Sequence, residues 1–500
     1  MGIVFRQSIK TTIVTFVGAL LGALTIFFST YIFKDDLQKL GFTRTFINIA
    51  AIVQFVILGG VGPLIQTYTQ RYPEKGDLRR KTLITVCSMV PLLALFLFYI
   101  PYHFLKTEIT HFYQQEDQPY ITRYYYLMVP LVLAWAFMTL YESYLVAMHK
   151  VAAASLMREV ILRLLNLIVL FLFYLKLFSF DTFVLLSIGI YFIPSLILLV
   201  VSVRTKGFGY SFQFNSFTKA DYKELAHFAW YHLLMGVPFF VMGFSDSLML
   251  AMLDKSGMAS VPIYTNAVFI TTIMTIPYRA MSVAAFPTLN QAYIENDSAK
   301  VNDLFHRSGI NILIVAVAMF LIIGGNLPNA VAILPAGKGY EAITPLVLIL
   351  MIGRLIDMGT GLNNELISIS KLYKFNFRIS VLLVVLMLSL NWLWIPKYSF
   401  YGAAWASTIA LAIFNIAKVI FLWVKMKLHP FTNRSWLVLL AGAVTAIAAF
   451  GIPHFRNIWA DIFVRTTVVI IIYTALLIYF KPSPDLSNYL GSIRKNKRLF

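Results

Sequence analysis

Arg354 and Asp357 stand three residues apart inside a long apolar run, with glycines at 353, 359 and 361 around them. At that spacing they share one helix face, where they can neutralise each other or present a cation and an acid to a ligand. Other ionisable groups interrupt apolar runs in the same sparse way: Arg44, Arg123, Glu142, Glu159, Arg163, Asp246, Arg279, Glu365, Lys418, Asp461 and Arg465. A guanidinium is a planar fork of donors that matches phosphate oxygens. Arg354, Arg279, Arg163, Arg123 and Arg44 would therefore suit an anionic headgroup such as a phosphate or diphosphate. Asp357, Glu142 and Asp246 would suit coupling or gating, since acids at membrane depth commonly mark ion and proton paths. Purely structural readings exist for several of these groups. Glu159 with Arg163 and Asp461 with Arg465 are i,i+4 pairs, the second expected at the outer interface. Lys418, two turns from a helix end, can snorkel outward, and Arg44 and Arg123 can be interfacial anchors.

The elements that hold these groups must be membrane helices. The chain has 500 residues, of which 59% are hydrophobic and only 13% charged. That charge is roughly half the quarter typical of a soluble domain. Fourteen apolar stretches are expected to span, at 9–33, 42–65, 82–105, 120–147, 153–176, 181–203, 225–253, 261–288, 307–333, 343–368, 375–395, 401–424, 435–453 and 460–480. Each meets the ~17–25 residues a helix needs to cross the hydrocarbon core. Each is apolar on every face, which rejects the alternation of a barrel strand. The expected fold class is all-α and polytopic.

The formal charge of +19 does not indicate nucleic acid, because of where it lies. Twenty-six Lys and Arg fall in the terminal segments and every second loop, against eight in the intervening loops. The rich side is expected to be cytoplasmic, with both termini there. The single cysteine, Cys87, permits no internal disulfide, and no Cys/His metal cluster is present. The first span is too long for a cleavable signal core, and the Met-Gly-Ile-Val-Phe-Arg start lacks the Ser/Thr of a myristoylation site. There is no Gly-x4-Gly-Lys-Ser/Thr phosphate loop and no Gly-x-Ser-x-Gly elbow. Asp35-Asp36 reads as part of a solvated loop, and the outer loops are too short to house a catalytic site. No catalytic residue, metal or cofactor is expected, and the chain is read as a non-enzyme.

The spans also repeat. Pro130-Leu131-Val132-Leu133 recurs as Pro345-Leu346-Val347-Leu348, and Glu142 and Asp357 each follow twelve residues after the proline. Pro63 corresponds to Pro287, and Asp77-Leu78-Arg79-Arg80 to Asp303-Leu304-Phe305-His306-Arg307. One duplication of six spans accounts for these offsets. An even number of spans keeps both copies in the same orientation, which predicts a pseudo-two-fold axis along the membrane normal. The expected organisation is a six-helix bundle over 1–203, a second over 225–424, an appended helix pair over 435–480 and a basic cytoplasmic tail over 481–500. The tail's Arg494-Lys495-Asn496-Lys497-Arg498 is expected to meet anionic lipid.

This pattern resembles the multidrug/oligosaccharidyl-lipid/polysaccharide exporter superfamily, and within it the polysaccharide transporters, with lipid II flippases as cousins. The stretches that carry the resemblance are Asp246-Ser247-Leu248-Met249-Leu250, Ile263-Tyr264-Thr265-Asn266-Ala267, Phe286-Pro287-Thr288-Leu289 with Glu295-Asn296-Asp297, and Tyr401-Gly402-Ala403-Ala404-Trp405-Ala406. Ala404 stands where that family commonly has Gly. The mid-section of the first span, Val14 to Tyr31, has no Arg or Asp, which favours a repeat-unit flippase over a lipid II flippase. The resemblance implies alternating access in a bacterial inner membrane. The cargo would be a polyprenyl-diphosphate-linked oligosaccharide (an O-antigen or capsule unit) passed to polysaccharide polymerase machinery. An ion-coupled multidrug exporter is the alternative, and a membrane polymerase or glycosyltransferase the more distant rival.

Overall fold

The computed structural model describes residues 2–72, 78–334, 340–370 and 372–485. Asp77 of the second repeat match and the basic run 494–498 lie outside them. The described residues form helices and turns, with no strand among them. This follows from the solvent: lipid offers no hydrogen-bond partner, so a spanning segment must satisfy its backbone internally.

The chain divides into two compact units, Met1–Pro262 and Ile263–Phe500. The first contains α1 (Gly2–Ile32), α2 (Leu37–Leu58), α3 (Val61–Tyr68), α4 (Leu78–Phe104), α5 (Lys106–His111), α6 (Gln118–Tyr124) and α7 (Met128–Ala147). It continues through α8 (Val151–Ser155), α9 (Leu162–Tyr174), α10 (Phe180–Gly189), α11 (Phe192–Val203) and α12 (Lys219–Leu253). Helix α13 (Ser260–Met274) runs across the division. The second unit holds α14 (Ile276–Ile294), α15 (Ser298–Ile333), α16 (Ile343–Gly359), α17 (Asn363–Ile369), α18 (Tyr373–Met426), α19 (Ser435–Phe450) and α20 (Ile458–Phe480).

Among the described residues, eleven helical stretches are long and apolar enough to cross a membrane. They differ from the fourteen expected spans in how segments join and break. The stretches 375–395 and 401–424 run together as α18, bent at Ser399, whose φ of 52° and ψ of −137° are not helical. The expected span 153–176 is interrupted by a π-helical turn over Leu156–Ile161. The expected span 261–288 breaks between α13 and α14, with Pro277 in the first turn of α14. A proline fits there because its missing N–H is not needed. Helix α19, apolar but only 16 residues long, falls outside these eleven.

In the first unit α7 is the central helix, packed by α2, α3, α4 and α11. Leu83, Ile84, Cys87, Met138, Leu140, Tyr144 and Leu198 are buried there together. Helix α12 packs on α2 and so belongs to this unit by contact, whereas the repeat starts the second bundle at 225. In the second unit α15 is central, packed by α14, α16, α19 and α20. The closing helix pair thus shares a core with α15, through Val317, Val438, Ala441, Val469 and Tyr473.

Candidate functional site

In the first unit several membrane charges are paired. The π-helical turn adds a residue to the helical register there, and two adjacent charges diverge. Arg158 meets Glu142 of α7 at 2.5 Å, as an ion pair without hydrogen-bond geometry. Glu159 meets Arg163 at 2.6 Å, the expected i,i+4 pair. Arg163 also donates to the Gly18 carbonyl of α1. A Cβ on Gly22 would stand 2.7 Å from the Arg163 guanidinium, so α1 accepts this side chain only because position 22 is bare. The partner of Arg158 is the acid that the repeat equates with Asp357.

Arg123 pairs with Asp181 at 2.6 Å, and Tyr124 donates to the same carboxylate. Arg44 donates to the Pro262 carbonyl at 3.1 Å and to Ser29 Oγ at 3.3 Å. Asp246 is buried on α12, next to Ser247, whose hydroxyl accepts from Asn48 at 2.9 Å.

The second unit is arranged differently. Arg354 and Asp357 share α16 yet form no ion pair, correcting the expectation that they could neutralise each other. Asp357 Oδ1 instead accepts from Asn415 Nδ2 of α18 at 2.9 Å. Asn415 Oδ1 accepts from Thr360 and Asn363, both at 3.2 Å, so a buried amide joins α16, α17 and α18. One turn further along α18, Lys418 is 2% exposed. Its ammonium donates to Asn364 Oδ1 at 2.9 Å and stands 3.7 Å from the centre of the Phe414 ring. Lys418 therefore does not snorkel: an amide oxygen and a ring face replace water around it. Glu365 accepts from Ser282 of α14, while its other oxygen is buried without a hydrogen bond.

Arg354 is half-buried and Arg279 exposed, and neither has an ion-pair partner among the described residues. Two guanidiniums on apolar helices, without a carboxylate to neutralise them, are costly unless they face water or an anion. They contrast with Arg123 and Arg163, whose charges are met within the protein.

Two further charged centres are structural. Asp461 and Arg465 form the expected i,i+4 pair at 2.7 Å and are buried within the protein, at 0% and 2% exposed. Arg465 also donates to the carbonyls of Ala449 and Ile452, at 3.0 and 2.7 Å. Asp461 accepts from Asn329 of α15 and from the Phe455 N–H. The other centre, Asp117, escaped sequence reasoning. Asp-Gln-Pro reads as an ordinary helix cap, and Asp117 is the N-cap of α6 by position. Its side chain turns away instead and accepts from Gln38 Nε2 and the Met258 N–H, both at 2.8 Å. Burial pushes its carboxyl above the usual range, partly offset by these two donors.

A family model described as polysaccharide biosynthesis protein matches residues 4–293. The capsular polysaccharide biosynthesis protein CapF of Staphylococcus aureus is 28% identical over 158 residues, which are 31% of this chain. The match spans 39% of that relative, well under two thirds of its length. Among solved structures, the lipid II flippase MurJ in an inward closed conformation superposes with a TM-score of 0.75 at 15% identity. That superposition covers 95% of this chain and 99% of the other. An inward-facing MATE multidrug resistance transporter of the MOP superfamily gives 0.64 at 14% identity, covering 82% and 94%. At such identities the likeness is one of fold.

Proposed function

The chain belongs to the polysaccharide biosynthesis protein family, and we propose that it is a flippase for a polyprenyl-diphosphate-linked oligosaccharide. The observation that carries this reading is the unneutralised pair of guanidiniums, Arg279 and Arg354, on the apolar helices α14 and α16. A diphosphate supplies the acceptor oxygens that their donors lack among the described residues. Arg44, Arg123 and Arg163 are assigned supporting roles, since their donors are already engaged by backbone or acid.

Fold likeness to lipid II flippase MurJ and to the MATE transporters supports transport rather than catalysis. The multi-span chain would sit in a bacterial inner membrane with both termini in the cytoplasm, as the basic loops favour. Moving negative charge outward across the membrane potential gains about 2.3 kcal/mol per charge per 100 mV, which can drive an uncompensated diphosphate. Coupling through Asp357, Glu142 or Asp246 is the other route; Asp357 accepts from the neutral Asn415 amide, whereas Glu142 is met by Arg158. The two six-span bundles, the appended pair and delivery to a polymerase belong to this same proposal. The MATE likeness keeps an ion-coupled multidrug exporter as the second reading.

The test is reconstitution with defined lipid-linked oligosaccharides and an outer-leaflet accessibility assay. Wild type should expose the lipid, and Arg354→Gln and Arg279→Gln should not. Normal flipping by both variants at normal incorporation would sink the assignment. Efflux of cationic dyes without lipid flipping would select the exporter reading.

A further inference from the structure

Arg80 stands outside everything described so far. It lies in the first turn of α4 and is 3% exposed. One terminal nitrogen faces the Met148 sulfur, a weak acceptor. The guanidinium lies 5.9 Å from the centre of the buried Tyr144 ring. Its Nε is buried with no hydrogen bond, and no described carboxylate neutralises it. Burying a charge without a counterion is expensive, so a guanidinium kept in this state implies an anion that completes it.

The surroundings say what kind of anion. The turn after α11 closes over Arg80 through Gly207, where a Cβ would fall 2.9 Å from the guanidinium. Gly207 has a φ of +83°, a conformation that glycine adopts without strain. The bare backbone of Gly207 thus packs directly on the guanidinium and joins Arg80 to this turn. Lys150 donates to Thr205 Oγ1 in the same turn at 2.9 Å, and Tyr144 donates to the Lys206 carbonyl. Arg79, Lys81 and Arg204 are exposed nearby in sequence, as is Lys206 itself. Two described acids of this region are already engaged: Asp221 caps α12 through Thr218, and Glu224 meets Arg71 and Tyr68. Beyond the turn, Tyr210, Phe212 and Phe214 expose their rings, Phe212 at 73%. Aromatic rings beside cations are the composition that settles at a membrane–water interface over anionic lipid.

We propose that the turn 204–209, with Arg80 and Lys150, binds the phosphate of an anionic phospholipid in the leaflet that the basic loops face. The rings of Phe212 and Phe214 lie at the headgroup boundary of that leaflet. This site belongs to the first unit, and the cargo groups Arg279 and Arg354 to the second. The inference rests only on the orientation proposed above, and its failure would leave the flippase reading untouched.

The test is native mass spectrometry of the full chain, purified in detergent and offered phosphatidylglycerol or phosphatidylcholine. Wild type should retain phosphatidylglycerol preferentially. Arg80→Gln should lower that retention about fivefold, and Lys150→Gln with Lys206→Gln by about fivefold for each charge. Lys397→Gln, at an exposed lysine of α18 in the second unit, should change nothing. The exposed Lys150/Lys206 variant decides the matter where Arg80→Gln fails to fold. Unchanged retention in the folded variants would overturn the site. Release of the lipid by millimolar inorganic phosphate would overturn the lipid assignment in favour of a free anion.

Discussion

Gly257 sits so close to Asp117 that a Cβ on the glycine would lie 2.1 Å from the carboxylate Oδ2. The glycine holds a φ of +52°, and the next residue's N–H donates to that same oxygen. A turn after α12 and the loop before α6 are locked by one acid that no membrane argument would single out. Gly257→Ala combines left-handed strain of about 1–2 kcal/mol with this clash. Asp117→Ala strands the Gln38 amide and the Met258 N–H, at about 1–3 kcal/mol for each buried donor. Both variants should lower the thermal midpoint in detergent, Gly257→Ala at least as much as any exposed glycine change.

The same carboxyl gives a pH dependence. Its folded value lies above the ordinary 3.8, so the folded state binds its proton more readily than the unfolded state. Stability contributed at Asp117 therefore rises as pH falls from above the raised value towards about 3.8, and is level below it. The stability difference between wild type and Asp117→Ala, measured by thermal unfolding across that window, should widen on acidification. A difference that narrows would reverse the sign.

Glu142 and Arg158 form a second dependency. Neutralising one leaves the other uncompensated beside the π-helical turn, on the order of 2 kcal/mol because Arg158 is partly exposed. Glu142→Gln and Arg158→Gln should each lower stability, and the double variant should recover most of the loss. A double-mutant cycle in purified protein reads this directly, and additive losses would deny the coupling.

Arginines should sort by what faces them. Arg279→Gln and Arg354→Gln should reduce transport roughly tenfold or more with little loss of stability, since each would forfeit charge-assisted bonds to cargo. Arg163→Gln should lower stability first, since Glu159 and the Gly18 carbonyl lose their donor. Flipping rate and melting temperature measured on the same preparations distinguish the two classes.

Arg465 predicts a local failure. Replacing it with Ala strands Asp461 and two carbonyls, at about 3–5 kcal/mol for a buried pair broken on one side. Arg465→Lys should rescue little, because one ammonium cannot reproduce the three directions of the fork. Hydrogen exchange should show opening concentrated in α19, α20 and the adjoining part of α15.

Much was legible before any coordinates. Apolar length and the absence of backbone partners in lipid dictate helices, so the all-α membrane class follows from composition and run length. The i,i+4 pairs Glu159–Arg163 and Asp461–Arg465 also follow from local geometry. Partners far apart in sequence could not be read. Spacing put Arg354 with Asp357, but Asn415, 58 residues on, provides the nearer donor. Lys418 looked free to snorkel, but Asn364 and Phe414 turn it inward. A one-residue π-helical shift decides that Arg158 meets Glu142, and hydropathy is blind to it. The sequence by itself determined which segments are helices and which few charges they must carry, because the cost of lipid burial is local. Only the tertiary structure decided which of those charges are neutralised within the protein, because neutralisation depends on the neighbouring helix.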